Sequence, residues 1–242
     1  MNTKLIKAIM GLVAVLLLVV ACDHIPALSG SGNLIRETRE ISGFEAVELN
    51  SVGSMEIVQD GTESVVIETD DDVMKHITTE VRDKTLYVGR DSISPTPTKV
   101  NITLHVNKLT NLSVAGTWDV RSDSLESDSL GIKIDGTSSI RIKRLIADEL
   151  AVIFGGVGDV EIAGEVTSQT IVVNGIGAYR AGGLKSETSS ISVSGSGEFT
   201  LSVTKTLDMK VEGSCIVDYY GNPVIRIGQS AACEIRNIGN EQ

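Results

Sequence analysis

A short motif that recurs about every twenty residues is the feature that most constrains how this chain can fold. The motif reads apolar, any, apolar, any, Gly, followed by three variable residues and another apolar residue. Its six copies begin at Leu112, Ile132, Val152, Ile171, Ile191 and Met209, and their glycines are Gly116, Gly136, Gly156, Gly175, Gly195 and Gly213. These glycines are separated by 20, 20, 19, 20 and 18 residues. Chance does not produce such a series, so this part of the chain consists of structural repeats.

Residues within each repeat alternate between apolar and polar, as in Ile140-Arg141-Ile142. A period of two is typical of a half-buried β-strand. With 3% aromatic residues and 24 glycines, the core must be built from Val, Ile and Leu between glycine turns. A unit of about twenty residues cannot enclose a core of its own, so it must stack on its neighbours. The sequence therefore predicts an all-β fold, a parallel β-helix (solenoid) with rungs about 4.8 Å apart.

The chain before the regular repeats follows the same theme less regularly. The stretch from Val47 to Met55 matches the motif, except that Ser51 stands where the first glycine is expected. The acidic run from Asp70 to Asp72 precedes an apolar segment, and we expect it to cap a helix or turn. Calcium binding by this run is the alternative. The sequence predicts an irregular N-terminal part of the solenoid over residues 34–109 and regular repeats over residues 110–237.

The beginning of the chain has the order of a bacterial export signal. Lys4 and Lys7 precede an uncharged apolar run over residues 8–21, which ends directly at Cys22. As a helix, this run is too short to cross a hydrocarbon core of about 30 Å. Positive charge, an apolar stretch and small residues in this order predict a signal peptide, residues 1–21, that is cleaved on export.

The residues around the cleavage position predict attachment to a membrane. The sequence from Val19 to Cys22 resembles a bacterial lipobox, in which the cysteine receives a lipid and becomes the new N-terminus. A buried or disulfide-bonded cysteine is the alternative. Residues 22–33 contain Pro26 and a Ser-Gly run, which predict a flexible linker. We therefore expect a lipoprotein of the cell envelope, anchored in the outer membrane through Cys22 and facing either the periplasm or the outside.

Several segments resemble a known family, the GIN domain found in the heads of auto-transporter adhesins. The likeness begins at Arg39-Glu-Ile-Ser-Gly-Phe44, includes Gly-x-Gly turns such as Gly175-Ile-Gly177, and ends at Asp218-Tyr-Tyr-Gly-Asn-Pro223. The resemblance implies a single-stranded, right-handed parallel β-helix and a role by analogy with adhesins. It implies no catalytic residue. The label of adhesin is an expectation only, because a fold does not determine a function.

The sequence offers little catalytic chemistry. A formal net charge of −11 argues against a nucleic-acid partner. The three histidines, His24, His76 and His105, lie outside the regular repeats and form no pair at the spacing of zinc ligands. No phosphate-binding or dinucleotide-binding motif occurs in a strand-to-helix context. We therefore predict no enzyme, no metal site and no cofactor.

Four residues of the regular repeats form a candidate ligand surface. Asp119, Asp159 and Glu198 share one motif position, which places them on one outward face, two rungs and about 10 Å apart. That spacing is too wide for a shared metal ion, so a solvated charged face is the plain interpretation, with a weak cation or sugar site as the alternative. Trp118 either fills the interior or stacks on a sugar, and its parity with the apolar positions favours the interior.

Cys215 and Cys233 are separated by one repeat, so they are expected to stack on adjacent rungs. A separation of about 4.8 Å lies within the range of a disulfide, and the envelope is an oxidising compartment. Side chains in one ladder point the same way, which strains such a bridge. Both a disulfide and a stacked pair of thiols therefore stay open.

Three functions are compatible with these features. The preferred one is a non-catalytic protein whose strand faces bind a glycan or a protein, with Ile153 and Val172 as a small exposed apolar patch. The second is a polysaccharide lyase or hydrolase on the same scaffold, which requires converging acids and a base that the sequence does not offer. The third is a periplasmic accessory protein with a protein partner.

Overall fold

A computed structural model describes residues 29–91, 99–229 and 232–239. The predicted export signal, Cys22 and His24 lie outside the described residues. Within the described part, strands form one continuous ladder and the helix is a single turn. No helix in the described ranges has the length and apolar character needed to span a membrane. The predicted class, an all-β parallel solenoid, is confirmed.

The regular part consists of long strands that bend around the solenoid, each paired in parallel with the strand of the next rung. Its strands are β7 (Asn111–Ser122), β8 (Leu125–Ile134), β9 (Thr137–Phe154), β10 (Val157–Val173), β11 (Ile176–Val193), β12 (Ser196–Val211), β13 (Ser214–Tyr220), β14 (Val224–Gln229) and β15 (Ala232–Asn237).

The registers place equivalent residues of successive repeats on top of one another. One inward ladder runs through Val120, Ile140, Val160, Tyr179, Phe199 and Val217. All six side chains are buried, as the alternation of the sequence predicted. Each repeat therefore buries its apolar residues against its neighbours, because it has no second layer of its own.

The motif glycines form a second ladder, and close stacking of the backbone explains it. A Cβ atom built on Gly156 would collide with the carbonyl oxygen of Gly136, and one on Gly136 would collide with that of Gly116. The same conflict recurs along the ladder. Successive turns thus lie closer together than any side chain permits, and only glycine fits at each position.

The N-terminal part joins this ladder but also contains antiparallel strands. Its elements are β1 (Leu34–Arg39), β2 (Ala46–Gln59), β3 (Ser64–Asp70), α1 (Asp71–Met74), β4 (Ile77–Arg82), β5 (Thr85–Arg90) and β6 (Val100–Val106). Strand β2 pairs in parallel with β7 and forms the first complete rung. Strand β3 lies antiparallel between β1 and β6, and β4 and β5 form an antiparallel hairpin.

The acidic run at the start of α1 contacts a distant segment of the chain, and its first residue does not cap the helix as predicted. Asp70 precedes the helix, but its side chain makes no capping hydrogen bond. Instead, the Asp70 carboxylate accepts a hydrogen bond of 3.0 Å from the Gly32 amide. Asp71 accepts hydrogen bonds from the side chains of Ser31, at 2.6 Å, and Asn33, at 2.9 Å. The acidic run thus fixes Ser31, Gly32 and Asn33, which end the segment predicted to be a flexible linker. These hydrogen bonds join parts of the chain that are distant in the sequence.

Candidate functional site

An open groove of about 870 Å³ runs along the solenoid, just beyond the glycine turns. Three adjacent ladders line it, and we call it the axial groove. The floor is the inward ladder Trp118, Ser138, Gly158, Gly177, Gly197 and Cys215. One wall is the outward ladder Thr117, Thr137, Val157, Ile176, Ser196 and Ser214. The other wall is Asp119, Ser139, Asp159, Ala178, Glu198 and Ile216.

The floor of the axial groove lies low because aromatic rings fill the interior beneath it. A Cβ atom on Gly158 would lie 2.6 Å from a ring carbon of Phe154, and one on Gly177 would lie 2.9 Å from the same ring. A Cβ atom on Gly197 would collide with the ring of Phe199. The absence of side chains at these glycines thus leaves room for the aromatic rings in the core. The depression that results can receive an extended ligand.

The first wall of the axial groove carries exposed apolar side chains. Val157 is 47% exposed and Ile176 is 58% exposed, and the two residues pair in register on neighbouring strands. Ile216 adds a third apolar side chain across the groove. Neighbouring exposed aliphatic side chains favour contact with a ligand or partner, because their burial releases ordered water. The motif did not single out Val157 and Ile176, since both occupy its variable positions.

The second wall carries the acidic row of the candidate ligand surface. The registers place Asp119, Asp159 and Glu198 in one ladder, with one residue between successive acids. Asp119 accepts hydrogen bonds of 3.1 and 2.6 Å from Arg121, and Asp159 pairs with Arg180. These hydrogen bonds raise the pKa of both guanidinium groups above the ordinary value.

Glu198 differs from the two other acids of this wall. Within the described residues it makes no ion pair, and its side chain is exposed at the rim of the axial groove. Its charge acts on Arg180 and Arg236 only at longer range. Glu198 is therefore the acid of this row that is best placed to accept a hydrogen bond from a ligand.

Trp118 belongs to the interior and is not an exposed stacking platform. Its side chain is 3% exposed and forms the end of the groove floor. A Cβ atom on Gly53 would lie 2.9 Å from the indole ring, so this glycine makes room for the tryptophan in the first rung. The indole Nε1 has no hydrogen-bond partner within the described part of the chain.

A second cleft, of about 750 Å³, lies where the N-terminal strands meet the solenoid. Four cationic side chains from three strands line it, namely Arg36 of β1, Arg121 of β7, and Arg141 and Lys143 of β9. Arg141 pairs with Glu161 at 2.8 Å and Lys143 pairs with Asp123 at 2.7 Å, so nearby acids balance much of the positive charge. Sequence analysis missed this cleft because no motif connects β1 with β7 and β9.

Two histidine–carboxylate pairs are not among the residues that line the axial groove or the second cleft. His76 lies 2.9 Å from Asp91, and His105 lies 2.7 Å from Asp60, both in the N-terminal part. In the described ranges, no group of three His, Cys, Asp or Glu residues is placed to hold a metal ion.

A buried chain of hydrogen bonds crosses the interior of the regular repeats. The Tyr179 hydroxyl donates to Gln169 at 2.7 Å, and the amide of Gln169 donates to Ser186 at 2.9 Å. Burial raises the pKa of Tyr179, so its hydroxyl stays neutral. Each member has a partner, which makes the chain a structural feature of the core.

Cys215 and Cys233 form a disulfide between β13 and β15, with their Cα atoms 4.4 Å apart. Cys215 also forms the last part of the groove floor. The bridge therefore ties the final rung to the rung beneath it at the end of the axial groove.

The stacked parallel rungs and the groove along them define the chain as a parallel β-solenoid with an open lateral surface. Residues 43–223 match the family described as "Putative auto-transporter adhesin, head GIN domain". The chain belongs to this family, and the resemblance noted in the sequence is confirmed. No curated protein sequence matches the chain significantly.

Solved structures share the fold over nearly their whole length. A "putative adhesin" from Bacteroides fragilis NCTC 9343 is 27% identical, with a TM-score of 0.82, and the match covers 87% of this chain and 99% of that one. A "putative lipid binding protein" from Parabacteroides distasonis ATCC 8503 is 20% identical, with a TM-score of 0.67 and coverage of 86% and 99%. A "putative adhesin" from Parabacteroides merdae ATCC 43184 is 16% identical, with a TM-score of 0.66 and coverage of 88% and 98%.

Proposed function

We propose that this chain is a lipid-anchored, non-catalytic protein of the cell envelope that binds an extended ligand along its axial groove. The observation that carries the proposal is the groove itself, which crosses successive rungs and has an apolar wall facing an acidic one. Membership of an adhesin-like family supports a role in binding. The ligand is a glycan or a protein segment with apolar surface on one side and hydrogen-bond donors on the other.

The two walls divide the recognition between them. Val157 and Ile176 provide the apolar contact, which favours affinity. Glu198 and the hydroxyl groups of Ser139 and Ser196 provide acceptors and donors that fix the orientation of the ligand. The glycines at the centre of the floor, Gly158, Gly177 and Gly197, let the ligand approach the backbone closely.

A binding experiment with a matched control tests the groove. The full chain would be coated on beads and applied to a glycan array and to intact bacterial cells, in parallel with a Val157→Lys/Ile176→Lys variant. The control is Leu34→Lys/Ile35→Lys, which adds the same charge at two exposed positions of β1 that do not line the groove. We expect the groove variant to lose at least about tenfold in binding and the control to retain it. Equal binding by all three proteins would refute the groove as the contact surface.

Labelling of the cysteine tests the anchor independently. We expect the full chain expressed in bacteria to incorporate radioactive palmitate and to partition into detergent, and the Cys22→Ser variant to do neither. Protease treatment of intact cells then separates the two sides of the outer membrane, since digestion requires exposure at the cell surface. Labelling of Cys22→Ser would remove the lipid anchor from the proposal.

Incubation with uronic-acid polymers tests the absence of catalysis. A polysaccharide lyase on this scaffold would release unsaturated sugars that absorb ultraviolet light. We expect no increase in absorbance with any such polymer. A rise that depends on protein concentration would overturn the non-catalytic assignment.

A further inference from the structure

The last rung of the solenoid presents unpaired strand edges. Strand β14 pairs with β12, and β15 pairs with β13. Within the described residues, no strand pairs with the opposite edge of β14 or β15. A row of unpaired amide and carbonyl groups is a ready template for another strand.

In the described part of the chain, the core is also open at this end. Ile227 and Ile235 continue the inward ladders of Met209 and Val217, so their side chains belong to the interior by register. Met209 is 3% exposed, whereas Ile227 is 48% exposed. The difference arises because Ile227 has a rung on one side only. Covering this end would therefore remove apolar surface from water and complete the strand ladder in one step.

The outward residues of β15 determine which strand fits its edge. Glu234 and Arg236 flank Ile235 on the outward face. If β15 pairs with an antiparallel copy of itself, centring the pair on Glu234 or on Arg236 places like charges directly opposite each other. Centring it on Ile235 places each Glu234 opposite an Arg236 of the second copy. Opposite charges across a strand pair stabilise it and like charges destabilise it, so the charges select this register.

The guanidinium group of Arg236 is already oriented for such contacts. It donates hydrogen bonds of 2.6 and 2.8 Å to Asp218 on the rung below and lies 3.6 Å from Glu234 of its own strand. A carboxylate from a second copy would complete a network of acids around each arginine. Charge networks of this kind contribute more than isolated surface pairs.

We propose that two copies of this chain associate end to end, through antiparallel pairing of β15 with β15 of a second copy, centred on Ile235. The two-fold axis makes the contact self-complementary and closed, since each copy uses the same edge. The Ile235 side chains meet at the centre, and two reciprocal pairs of Glu234 and Arg236 lie on either side. The contact is centred away from the axial groove, which β15 lines only at Ala232, and it does not depend on the ligand of the groove. Strand β1 lies at the other end of the strand order, so the contact does not involve the first described strand.

Charge exchange tests both the contact and its register. The full chain in mild detergent would be studied by sedimentation over a wide range of concentrations. We expect a monomer–dimer equilibrium that weakens at least about tenfold in Glu234→Arg and in Arg236→Glu, because each change creates two like-charge pairs. The Glu234→Arg/Arg236→Glu double variant restores opposite charges and should dimerise again.

Mixing the two single variants provides the decisive control. In this register, a chain with Glu234→Arg is complementary to a chain with Arg236→Glu, so an equimolar mixture should form a heterodimer. Recovery in the mixture also demonstrates that both variants are folded. A monomeric wild-type protein at all concentrations would overturn the proposal, as would association that is indifferent to these charges. Failure of both the mixture and the double variant would exclude this register.

Discussion

The N-terminal part and the regular repeats of this molecule reach a buried core in different ways. In the regular repeats, each rung rests on an almost identical rung, and backbone atoms approach so closely that glycine is required at the turns. In the N-terminal part, antiparallel strands from distant positions cover the first rung, and side-chain hydrogen bonds connect them. The regular repeats thus owe their stability to repetition of one stacked unit. The N-terminal part owes its stability to individual contacts between particular residues.

The motif position of Ser51 illustrates the difference. Ser51 pairs with Gly116 of the next rung, and its carbonyl oxygen is the atom that excludes a side chain from Gly116. On the opposite side, no described strand residue pairs with Ser51. Glycine is therefore needed at this motif position only where another rung lies directly beneath it. This explains why the copy of the motif in β2 has Ser51 in place of the glycine.

Exchanging these two residue types should produce the largest effect. Gly156→Ser introduces into the fourth rung the residue that the first rung tolerates, and its Cβ atom collides with the carbonyl of Gly136. We expect a loss of about 3 kcal/mol in the free energy of unfolding, measured with denaturant. The matched Ser51→Gly change should alter it by less than about 1 kcal/mol. Similar losses for both variants would contradict the stacking explanation of the glycine ladder.

Removing the disulfide should weaken the regular part next most strongly. The bridge closes a loop of 18 residues, and the Cys215→Ala/Cys233→Ala variant should lose about 2 kcal/mol. Hydrogen exchange should accelerate in β13 and β15 and stay unchanged in β2, because each rung depends mainly on its neighbours. Treating the wild-type protein with a reductant serves as the control. Equal acceleration of hydrogen exchange in all strands would contradict the view that each rung is stabilised mainly by its neighbours.

A single arginine should matter in the N-terminal part. Arg39 donates hydrogen bonds of 2.8 Å to the Ile77 carbonyl and 3.0 Å to the Thr79 hydroxyl. Lysine cannot reproduce this fork of donors, so Arg39→Lys should lose about 1.5 kcal/mol of unfolding free energy. Arg226→Lys on the regular part, which alters an exposed pair with Asp208 at 3.6 Å, should lose less than about 0.5 kcal/mol. The reverse order of effects would remove Arg39 as a structural anchor.

The smallest expected effect is the loss of stabilisation by Asp60 at low pH. Hydrogen bonds from the Thr62 hydroxyl and amide, and from His105, lower the pKa of Asp60 from 3.8 to about 2. Because the folded pKa lies below the ordinary value, the stabilisation is complete above pH 3.8 and is lost as the pH falls through about 2. An NMR titration should give a midpoint near pH 2 for Asp60, and Thr62→Val should raise it. An unchanged midpoint in Thr62→Val would assign the shift to another group.

The features that could be predicted from the sequence are those that repeat. The glycine spacing predicted parallel rungs, and the motif positions predicted that Asp119, Asp159 and Glu198 share a ladder and that Cys215 and Cys233 are neighbours. A period measured along the chain converts directly into a position in space when every rung has the same path. The register between neighbouring rungs can therefore be obtained by counting the residues between copies of the motif.

Tertiary structure alone decided the features that do not repeat. The antiparallel layer of β1 and β3, the position of Arg39 and the cationic cleft all join segments with no shared motif. The apolar wall of the axial groove likewise depends on Val157 and Ile176 at variable motif positions, whose exposure depends on what surrounds them. Local periodicity determined how the chain stacks, whereas long-range packing determined which of its surfaces are covered and which stay open, because burial depends on neighbours that the local pattern does not specify.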